Sequence, residues 1–463
     1  MSTAPTVAKS TAASKQGADW QPGHLPKVDF GEGCYVVDTD GRRYLDGSAG
    51  PAVYSLGHAH PEVNEAIKRQ LDRIAHGYRY TFTSDPLEEL TAMVAESCGG
   101  GLKHMTFVSS GSEAVESCLK IALQYQTSIG QKSRRLIISR ERSWHGNTMG
   151  ATSISGFYAR REAFEGAMMP SNFVSAANVY RPPAGYLKES GGRIDPAAVG
   201  EYCARELELK IQELGAEKVA AFIFEPVVGA AGGCVPAPPG YAKRVREICD
   251  RYGVLMIADE VMCGAGRTGT WRALEHDGVE PDIMAVAKGL AAGYVPLGVA
   301  IYHDRLKAPM FAKYGGLLTG HTFTGHTLAC AAGLAVQKIL KRDRLVEKVR
   351  EDGLYLEAKL RAAFGDHPHV GDVRGRGFFW AIEVVEDRAA KAAFDAKLAV
   401  YQRLRDRCFG NGLICYPVGG NVDGLSGDIA IVSPPFIATR SELDSIVEIL
   451  RHSLDEVIGD LPK

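Results

Sequence analysis

Two short runs of aliphatic residues in this chain each end abruptly in one ionisable side chain. The run VLMIAD ends at Asp259, and the run DIMAVAK ends at Lys288. Apolar runs of this length, bounded by charge and glycine, are typical of buried strands in a parallel sheet. Open α/β folds bind ligands at the carboxyl ends of such strands. The pattern therefore predicts that Asp259 and Lys288 share one site at the edge of a sheet.

Between about residue 85 and residue 325, helical and strand periodicities alternate along the chain. The predicted helices begin near Asp85, Glu113, Ala198 and Tyr241. Besides the two runs above, the predicted strands cover residues 104–108, 134–139, 219–225 and 296–302. Such alternation predicts parallel βαβ units, with helices on both faces of one large sheet.

The chain on either side of this region has a different pattern. A hairpin with an Asp40-Gly41 turn and a helix over 61–74 precede it. The elements predicted after it are helices over 326–342 and 345–364, a strand pair around Gly375, a helix from Ala389 to Cys408, short strands over 412–416 and 428–432, and a final helix from Arg440. We therefore predict four parts, which are a flexible tail (1–19), an arm that packs with the small domain (20–75), a large α/β domain (76–335) and a smaller α+β domain (336–463).

The composition of the chain argues against several classes of function. The formal net charge of −2 over 463 residues does not favour nucleic acid or an anionic membrane as a partner. No run of 18 apolar residues occurs, so no membrane-spanning helix is expected. The ten cysteines form no C-x-x-C pair, which is typical of reduced thiols and, with a polar amino end, favours a cytoplasmic protein. The pairs His58-Ala-His60 and His367-Pro-His369 lack further clustered ligands, so no metal is expected.

The segment Ser110-Gly111-Ser112 lies where a predicted strand meets a helix. The first backbone N–H groups of a helix have no partner within it and favour a phosphate. Gly111 would let the phosphate approach closely, and Ser112 adds a hydroxyl. The alternative is that Ser110 and Glu113 form a capping box, which satisfies the same donors without a ligand.

A lysine amine and a buried carboxylate at one sheet edge suit pyridoxal phosphate. The aldehyde of that cofactor condenses with an amine, and its protonated ring nitrogen pairs with a carboxylate. The flat ring needs apolar walls, for which Trp144 and Val261 are candidates. Glu225 also ends a strand, and there it needs a donor such as the phenolic edge of the ring. An ordinary surface lysine and a strand-end aspartate are the alternative for either segment alone.

Taken together and in their order, six segments resemble the class III aminotransferases, and the resemblance covers nearly the whole chain. The segments are Ser110-Gly-Ser, Trp144-His-Gly, Glu225-Pro-Val, Asp259-Glu-Val, Lys288-Gly-Leu and the stretch from Thr322 to His326. The resemblance implies the aspartate-aminotransferase fold (fold type I), with a large, mostly parallel sheet domain and a smaller α+β domain. It also implies pyridoxal 5′-phosphate as cofactor and a homodimer with shared active sites.

The resemblance assigns roles residue by residue. Lys288 would bind the cofactor through an imine and then carry protons as acid and base. Asp259 would keep the ring nitrogen protonated, and Trp144 would stack on the ring. Glu225 would lie near the 3-hydroxyl edge. The phosphate would be held by Ser110, Gly111 and Ser112, together with Thr322 of the neighbouring subunit.

The chain departs from the family where many relatives hold a substrate carboxylate with an arginine. At two such positions it has Tyr416 and Ile431. Some other arginine should then bind a keto acid, and the loop candidates are Arg79, Arg160, Arg181 and Arg374. Near the amino end, Ala52 and Tyr54 match the family's channel-lining segment and are candidate specificity residues together with Tyr416.

The leading hypothesis is an aminotransferase that moves an amino group from an amine or ω-amino acid to a 2-oxo acid, either pyruvate or 2-oxoglutarate, by a ping-pong mechanism. The missing arginines keep open a racemase, aminomutase or decarboxylase on the same scaffold. A non-catalytic cofactor-binding domain would be expected to lack Lys288 or to carry a DNA-binding appendage, and the sequence shows neither.

Overall fold

The computed structural model describes residues 25–462, so the tail predicted over residues 1–19 lies outside the described residues. The strands are β1 Val28–Glu32, β2 Tyr35–Asp38, β3 Arg43–Asp46, β4 Leu102–Val108, β5 Leu136–Arg140, β6 Asn172–Val174, β7 Val219–Phe224, β8 Val227–Val228, β9 Val235–Pro236, β10 Leu255–Asp259, β11 Ile283–Val286, β12 Gly298–His303, β13 Val370–Arg376, β14 Phe379–Val384, β15 Leu413–Ile414, β16 Tyr416–Gly419 and β17 Asp428–Val432. The α-helices are α1 Ala49–Ala52, α2 Pro61–Arg73, α3 Asp85–Cys98, α4 Gly111–Ser128, α5 Met149–Ser153, α6 Ala184–Glu189, α7 Pro196–Leu214, α8 Tyr241–Tyr252, α9 Asp304–Tyr314, α10 Thr327–Arg342, α11 Leu345–Phe364, α12 Val400–Gly410 and α13 Arg440–Gly459.

A large sheet has the strand order β4-β12-β11-β10-β7-β5-β6. All its strands run parallel except β12, which pairs antiparallel with β11 and β4. The inner strands are apolar at nearly every position because both faces are covered, as in β7, where all six residues are buried. Strands β10 and β11 are neighbours, with Asp259 beside Ala285, so Asp259 and the start of the Lys288 turn lie at the same edge. The mostly parallel α/β fold is confirmed.

Two smaller sheets involve the carboxyl-terminal part of the chain. One is antiparallel, with the order β13-β14-β17-β16, and the other has the order β1-β2-β3-β15. In the second, β15 pairs parallel with β3, placing Leu413 beside Leu45. The amino-terminal strands therefore pair with the carboxyl-terminal part of the chain, as the predicted arm requires; the four-part division itself stays a prediction.

Helix α10 contributes to two hydrophobic cores. Ala329, Cys330 and Leu334 belong to the core beside the large sheet. Val336, Ile339 and Leu340, one to two turns later, belong to the core built on the carboxyl-terminal sheets and helices. The predicted boundary near residue 335 thus falls inside a continuous helix.

Two predicted elements are wrong in detail. The strand pair turns at Gly377 (φ 60°), two residues after Gly375, which itself lies within β13. The helix predicted from Ala389 begins only at Val400, because Ala399 adopts the left-handed conformation (φ 49°). Before it, Asp395 caps a short 3₁₀ turn by accepting from the N–H of Lys397, and Phe394 is buried in the second core. Tertiary packing therefore overrides the helical periodicity in residues 389–399.

Candidate active site

A cavity of about 530 Å³ opens at the carboxyl ends of β7, β10 and β11. Its inner wall carries Glu225, Asp259 and Lys288 together with the amino terminus of α4. Its outer wall is formed by Pro51, Val53 and Tyr54 and by Tyr416 from the carboxyl-terminal sheet. The cavity thus lies between the two cores and gathers most of the residues that the sequence singles out.

Asp259 is buried at the end of β10 and is held by two donors. Its Oδ2 lies 2.7 Å from Nδ1 of His145, and its Oδ1 accepts the backbone N–H of Val261 at 3.0 Å. His145 is also buried, and its Nε2 has no hydrogen-bond partner within the described residues. A carboxylate so held still has lone pairs available for a cationic partner. No pattern in the sequence points to His145, although His145 directly follows Trp144 in the Trp144-His-Gly segment.

Glu225 follows β7 and is equally buried. One carboxyl oxygen accepts the N–H of Trp144 at 2.9 Å, and the other accepts that of Gly229 at 2.8 Å. Burial raises the pKa of Glu225 above its ordinary value, whereas nearby His145 acts in the opposite direction. The carboxyl group therefore fixes the loop that carries Trp144 at the cavity wall.

Lys288 opens a 3₁₀ turn directly after β11, with a left-handed backbone (φ 47°). Burial lowers the pKa of its amine from 10.5 to about 8, and the carboxylates of Asp259 and Glu225 oppose that effect. Nowhere in residues 25–462 does this amine find a hydrogen-bond partner. It is thus an amine of lowered basicity that no hydrogen bond engages within the described residues.

The amino terminus of α4 offers unpaired donors to the cavity. The hydroxyl of Ser110 caps the helix by accepting the N–H of Glu113 at 3.1 Å, whereas the N–H groups of Gly111 and Ser112 have no acceptor in the described chain. A Cβ atom on Gly111 would lie 2.8 Å from Cγ1 of Val261, so only glycine leaves this space open. The capping alternative is therefore realised at Ser110, yet two donors remain for an anion.

Trp144 and Val261 supply the apolar surfaces of the cavity. Trp144 meets Phe157 edge to face, with ring centroids 6.2 Å apart. With an amine, a buried carboxylate and an anion-binding helix end around these surfaces, the donors and acceptors fit pyridoxal phosphate.

The two positions where the family resemblance predicts an arginine are neighbours in the carboxyl-terminal sheet, and of the two only Tyr416 lines the cavity. Tyr416 in β16 pairs across the strands with Ile431 in β17. Ile431 is completely buried, and both residues belong to an apolar cluster with Phe157 and Met262. This wall therefore offers no charge to a substrate carboxylate.

Ala52 differs from its prediction as a cavity-lining residue. Its backbone is left-handed (φ 63°), and its methyl group is buried in the same apolar cluster. Pro51, Val53 and Tyr54 line the cavity instead.

The four candidate arginines have different surroundings. Arg181 and Arg374 both pair with the buried carboxylate of Glu383, the latter at 2.7 Å. Arg79 reaches the hydroxyl of Thr106 at 3.4 Å and lies outside the cavity. Arg160 alone among the four lines it.

Thr322 is exposed and, as far as the structure describes the chain, does not line the cavity of its own subunit. Its predicted contact is with the phosphate of a partner and stays a prediction. Across residues 25–462 no group of three or more His, Cys, Asp or Glu side chains is placed to hold a metal ion. No helix in that range is long and apolar enough to cross a bilayer.

Comparisons with known proteins agree on one family. The family model "Aminotransferase class-III" matches residues 19–454. An uncharacterized aminotransferase of Schizosaccharomyces pombe is 40% identical over 446 residues, covering 95% of each chain. The putrescine–pyruvate aminotransferase of Pseudomonas aeruginosa is 35% identical, over 92% of this chain and 89% of its own. The crystal structure of an aminotransferase from Vibrio fluvialis in its PMP-bound form superposes with a TM-score of 0.87, at 29% identity and 97% coverage of both chains.

Proposed function

The chain belongs to the class III aminotransferases, which depend on pyridoxal phosphate, and from that membership we propose that it transfers the amino group of an amine or ω-amino acid to a 2-oxo acid. The observation that carries the proposal is the inner wall of the cavity, where the unengaged amine of Lys288 shares one space with the buried carboxylate of Asp259. The reaction then runs in two half-reactions: the donor gives up its amino group and leaves as the carbonyl product before pyruvate or 2-oxoglutarate enters.

The residues of the inner wall have different tasks in the proposed reaction. When bound, pyridoxal phosphate supplies a ring that withdraws electrons from the substrate carbon. The amine of Lys288 holds the cofactor and then takes the proton from the carbon that bears the amino group. Asp259, hydrogen-bonded to His145, would pair with the protonated ring nitrogen. Glu225 would lie near the 3-hydroxyl edge of the ring.

The remaining contacts orient the cofactor. The free N–H groups of Gly111 and Ser112 bind its phosphate, with the hydroxyls of Ser110 and Ser112 beside them. Trp144 and Val261, which line the cavity, would pack against the two faces of the ring. The apolar outer wall, formed by Val53, Tyr54 and Tyr416, receives the carbon skeleton of the donor.

We also propose a homodimer in which Thr322 completes the phosphate site of the partner. Thr322 lies in an exposed segment, and several large apolar side chains around it are exposed to solvent in the single subunit. Exposed apolar side chains of this kind are typical of an interface. These side chains are Tyr78, Tyr80, Phe82, Leu318 and Phe323. We place the enzyme in the cytoplasm, where the reduced state of its ten cysteines would persist.

The proposal is tested by following the visible absorbance of the purified holoenzyme. Addition of a donor amine should convert the pyridoxal form to the pyridoxamine form, and pyruvate or 2-oxoglutarate should restore it. A panel of mono- and diamines and ω-amino acids identifies the donor. If the cofactor stays in the pyridoxal form throughout turnover and no keto acid is needed, transamination is the wrong reaction.

A further inference from the structure

Arg160 lies on the cavity wall with its guanidinium held by two aromatic rings. It ends a 3₁₀ turn that covers Tyr158–Arg160. Its Cζ lies 4.8 Å from the ring centroid of Phe157 and 4.9 Å from that of Trp144. Such cation–π contacts orient a guanidinium while leaving its N–H groups free.

No acceptor within residues 25–462 occupies this guanidinium. It makes no ion pair and no side-chain hydrogen bond there, although its backbone N–H bonds to Phe157. Arg181 and Arg374 differ from Arg160, because both form ion pairs with Glu383. Arg160 is therefore a preoriented cation without a counter-ion.

The charges of the cavity leave one place for a substrate carboxylate. The two carboxylates of the inner wall, Asp259 and Glu225, repel an anion. The outer wall carries no charge at Tyr416, and the cross-strand neighbour Ile431 is buried in the apolar cluster against which Tyr416 packs. Among the described residues that line the cavity, Arg160 is the sole guanidinium, and Lys288 is committed to the cofactor.

We propose that Arg160 binds the carboxylate of the 2-oxo acid and thereby replaces the arginines absent from positions 416 and 431. The inference rests on the proposed function and adds a specificity residue to it. A planar guanidinium fork matches a carboxylate with two parallel hydrogen bonds. A donor amine without a carboxylate would not use Arg160, so the two half-reactions should depend on this residue to different degrees.

The test compares the two half-reactions in Arg160→Gln and Arg160→Lys holoenzymes, with Arg193→Gln as a matched control. Arg193 is also exposed and lies outside the cavity. In Arg160→Gln, the pyruvate concentration for half-maximal rate should rise about tenfold to a hundredfold, the loss expected for a hydrogen bond to a charged group. The half-reaction with benzylamine, which has no carboxylate, should change little. Arg160→Lys should recover part of the loss, and Arg193→Gln should behave as the wild type.

A binding measurement makes the test independent of turnover. Propionate, a carboxylate that cannot react, should bind the wild-type holoenzyme in a calorimetric titration and bind Arg160→Gln at least about tenfold more weakly. Equal binding of propionate to both proteins would overturn the inference.

Equal slowing of both half-reactions by Arg160→Gln would also overturn the inference, because Arg160 would then act through the ring of Trp144. If instead the wild type performs neither half-reaction, the proposed function fails, and propionate binding still decides whether Arg160 is an anion site.

Discussion

The two walls of the cavity differ in charge, because the inner wall carries buried ionisable groups and the outer wall is apolar. On the inner wall every carboxylate is buried and held by specific donors, as the pairing of Asp259 with His145 shows. On the outer wall Tyr416 packs on aliphatic neighbours such as Ile431, without any charge. A buried carboxylate tolerates few replacements, because loss of a partner costs several kcal/mol. An apolar wall accepts any side chain of suitable volume. From this contrast we expect the inner wall to determine the chemistry and the outer wall to determine the choice of donor.

Replacement of Lys288 by alanine should have the largest effect. Both the covalent attachment and the proton transfer are lost, so turnover should fall by about 10⁴-fold or more. Borohydride reduction of the wild-type holoenzyme should attach the cofactor to the peptide that contains Lys288, and mass spectrometry should find no such attachment in Lys288→Ala. Lys307→Ala, on α9 and outside the cavity, serves as the control. An active Lys288→Ala enzyme would contradict the whole inner-wall assignment.

The substitution Asp259→Asn should have the second-largest effect on turnover. The amide keeps the shape of the side chain but cannot neutralise a protonated ring nitrogen, and breaking a buried charge pair costs about 3–5 kcal/mol. We expect kcat to fall about a hundredfold to several thousandfold. Steady-state kinetics with saturating cofactor measures the change. A variant within threefold of the wild type would show that the carboxylate is not paired with the ring.

Gly111→Ala should weaken cofactor binding and lower the free energy of unfolding, because its Cβ would lie 2.8 Å from Val261. Overpacking of this kind costs about 1–3 kcal/mol. Equilibrium titration with pyridoxal phosphate and chemical denaturation measure both effects. In the control variant Gly166→Ala the new methyl group meets no atom of the described structure within 4 Å.

The rate at which apoenzyme captures pyridoxal phosphate should depend on pH. Only the neutral amine of Lys288 attacks an aldehyde, and its pKa of about 8 means that the neutral fraction falls on acidification below pH 8. The rate should therefore drop about tenfold per pH unit below 8 and level off above it. Stopped-flow absorbance gives the profile. A midpoint near 10.5 would indicate that burial does not act on this amine.

Tyr416→Ala should have the smallest effect and should act on donor choice alone. Removal of the ring widens the apolar wall, so the preference for bulky over small amines should rise about fivefold, in the range of one hydrophobic contact. The ratio of kcat/KM for a branched and an unbranched amine measures it, with Tyr416→Phe as the size-matched control. An equal fall for all donors would place Tyr416 with the inner wall.

The sequence predicted the inner wall better than the outer wall for a physical reason. Asp259 and Lys288 stand out because a charge at the end of an aliphatic run needs a partner, and the run itself gives the position on the sheet. Glu225 stands out in the same way. His145 does not, because its contact with Asp259 joins residues 114 positions apart and leaves no local pattern.

The outer wall depends on contacts between distant segments. Nothing in the periodicity shows that Tyr416 and Ile431 are cross-strand neighbours, or that the left-handed backbone of Ala52 buries its methyl group. Local periodicity also fails for the helix predicted over 389–408. That helix begins only at Val400, and the segment before it packs Phe394 into the second core. Side-chain periodicity records which face is apolar, but not what that face packs against.

Helix α10 couples the thermal stability of the two hydrophobic cores, because it contributes side chains to both. Its first turns pack in the core beside the large sheet, and its later turns pack in the second core. Unfolding of either core would therefore remove packing contacts from the same continuous helix. The two halves should therefore denature as one cooperative unit. A destabilising change far from the cofactor, in the second core, would then lower the temperature at which the cofactor is released.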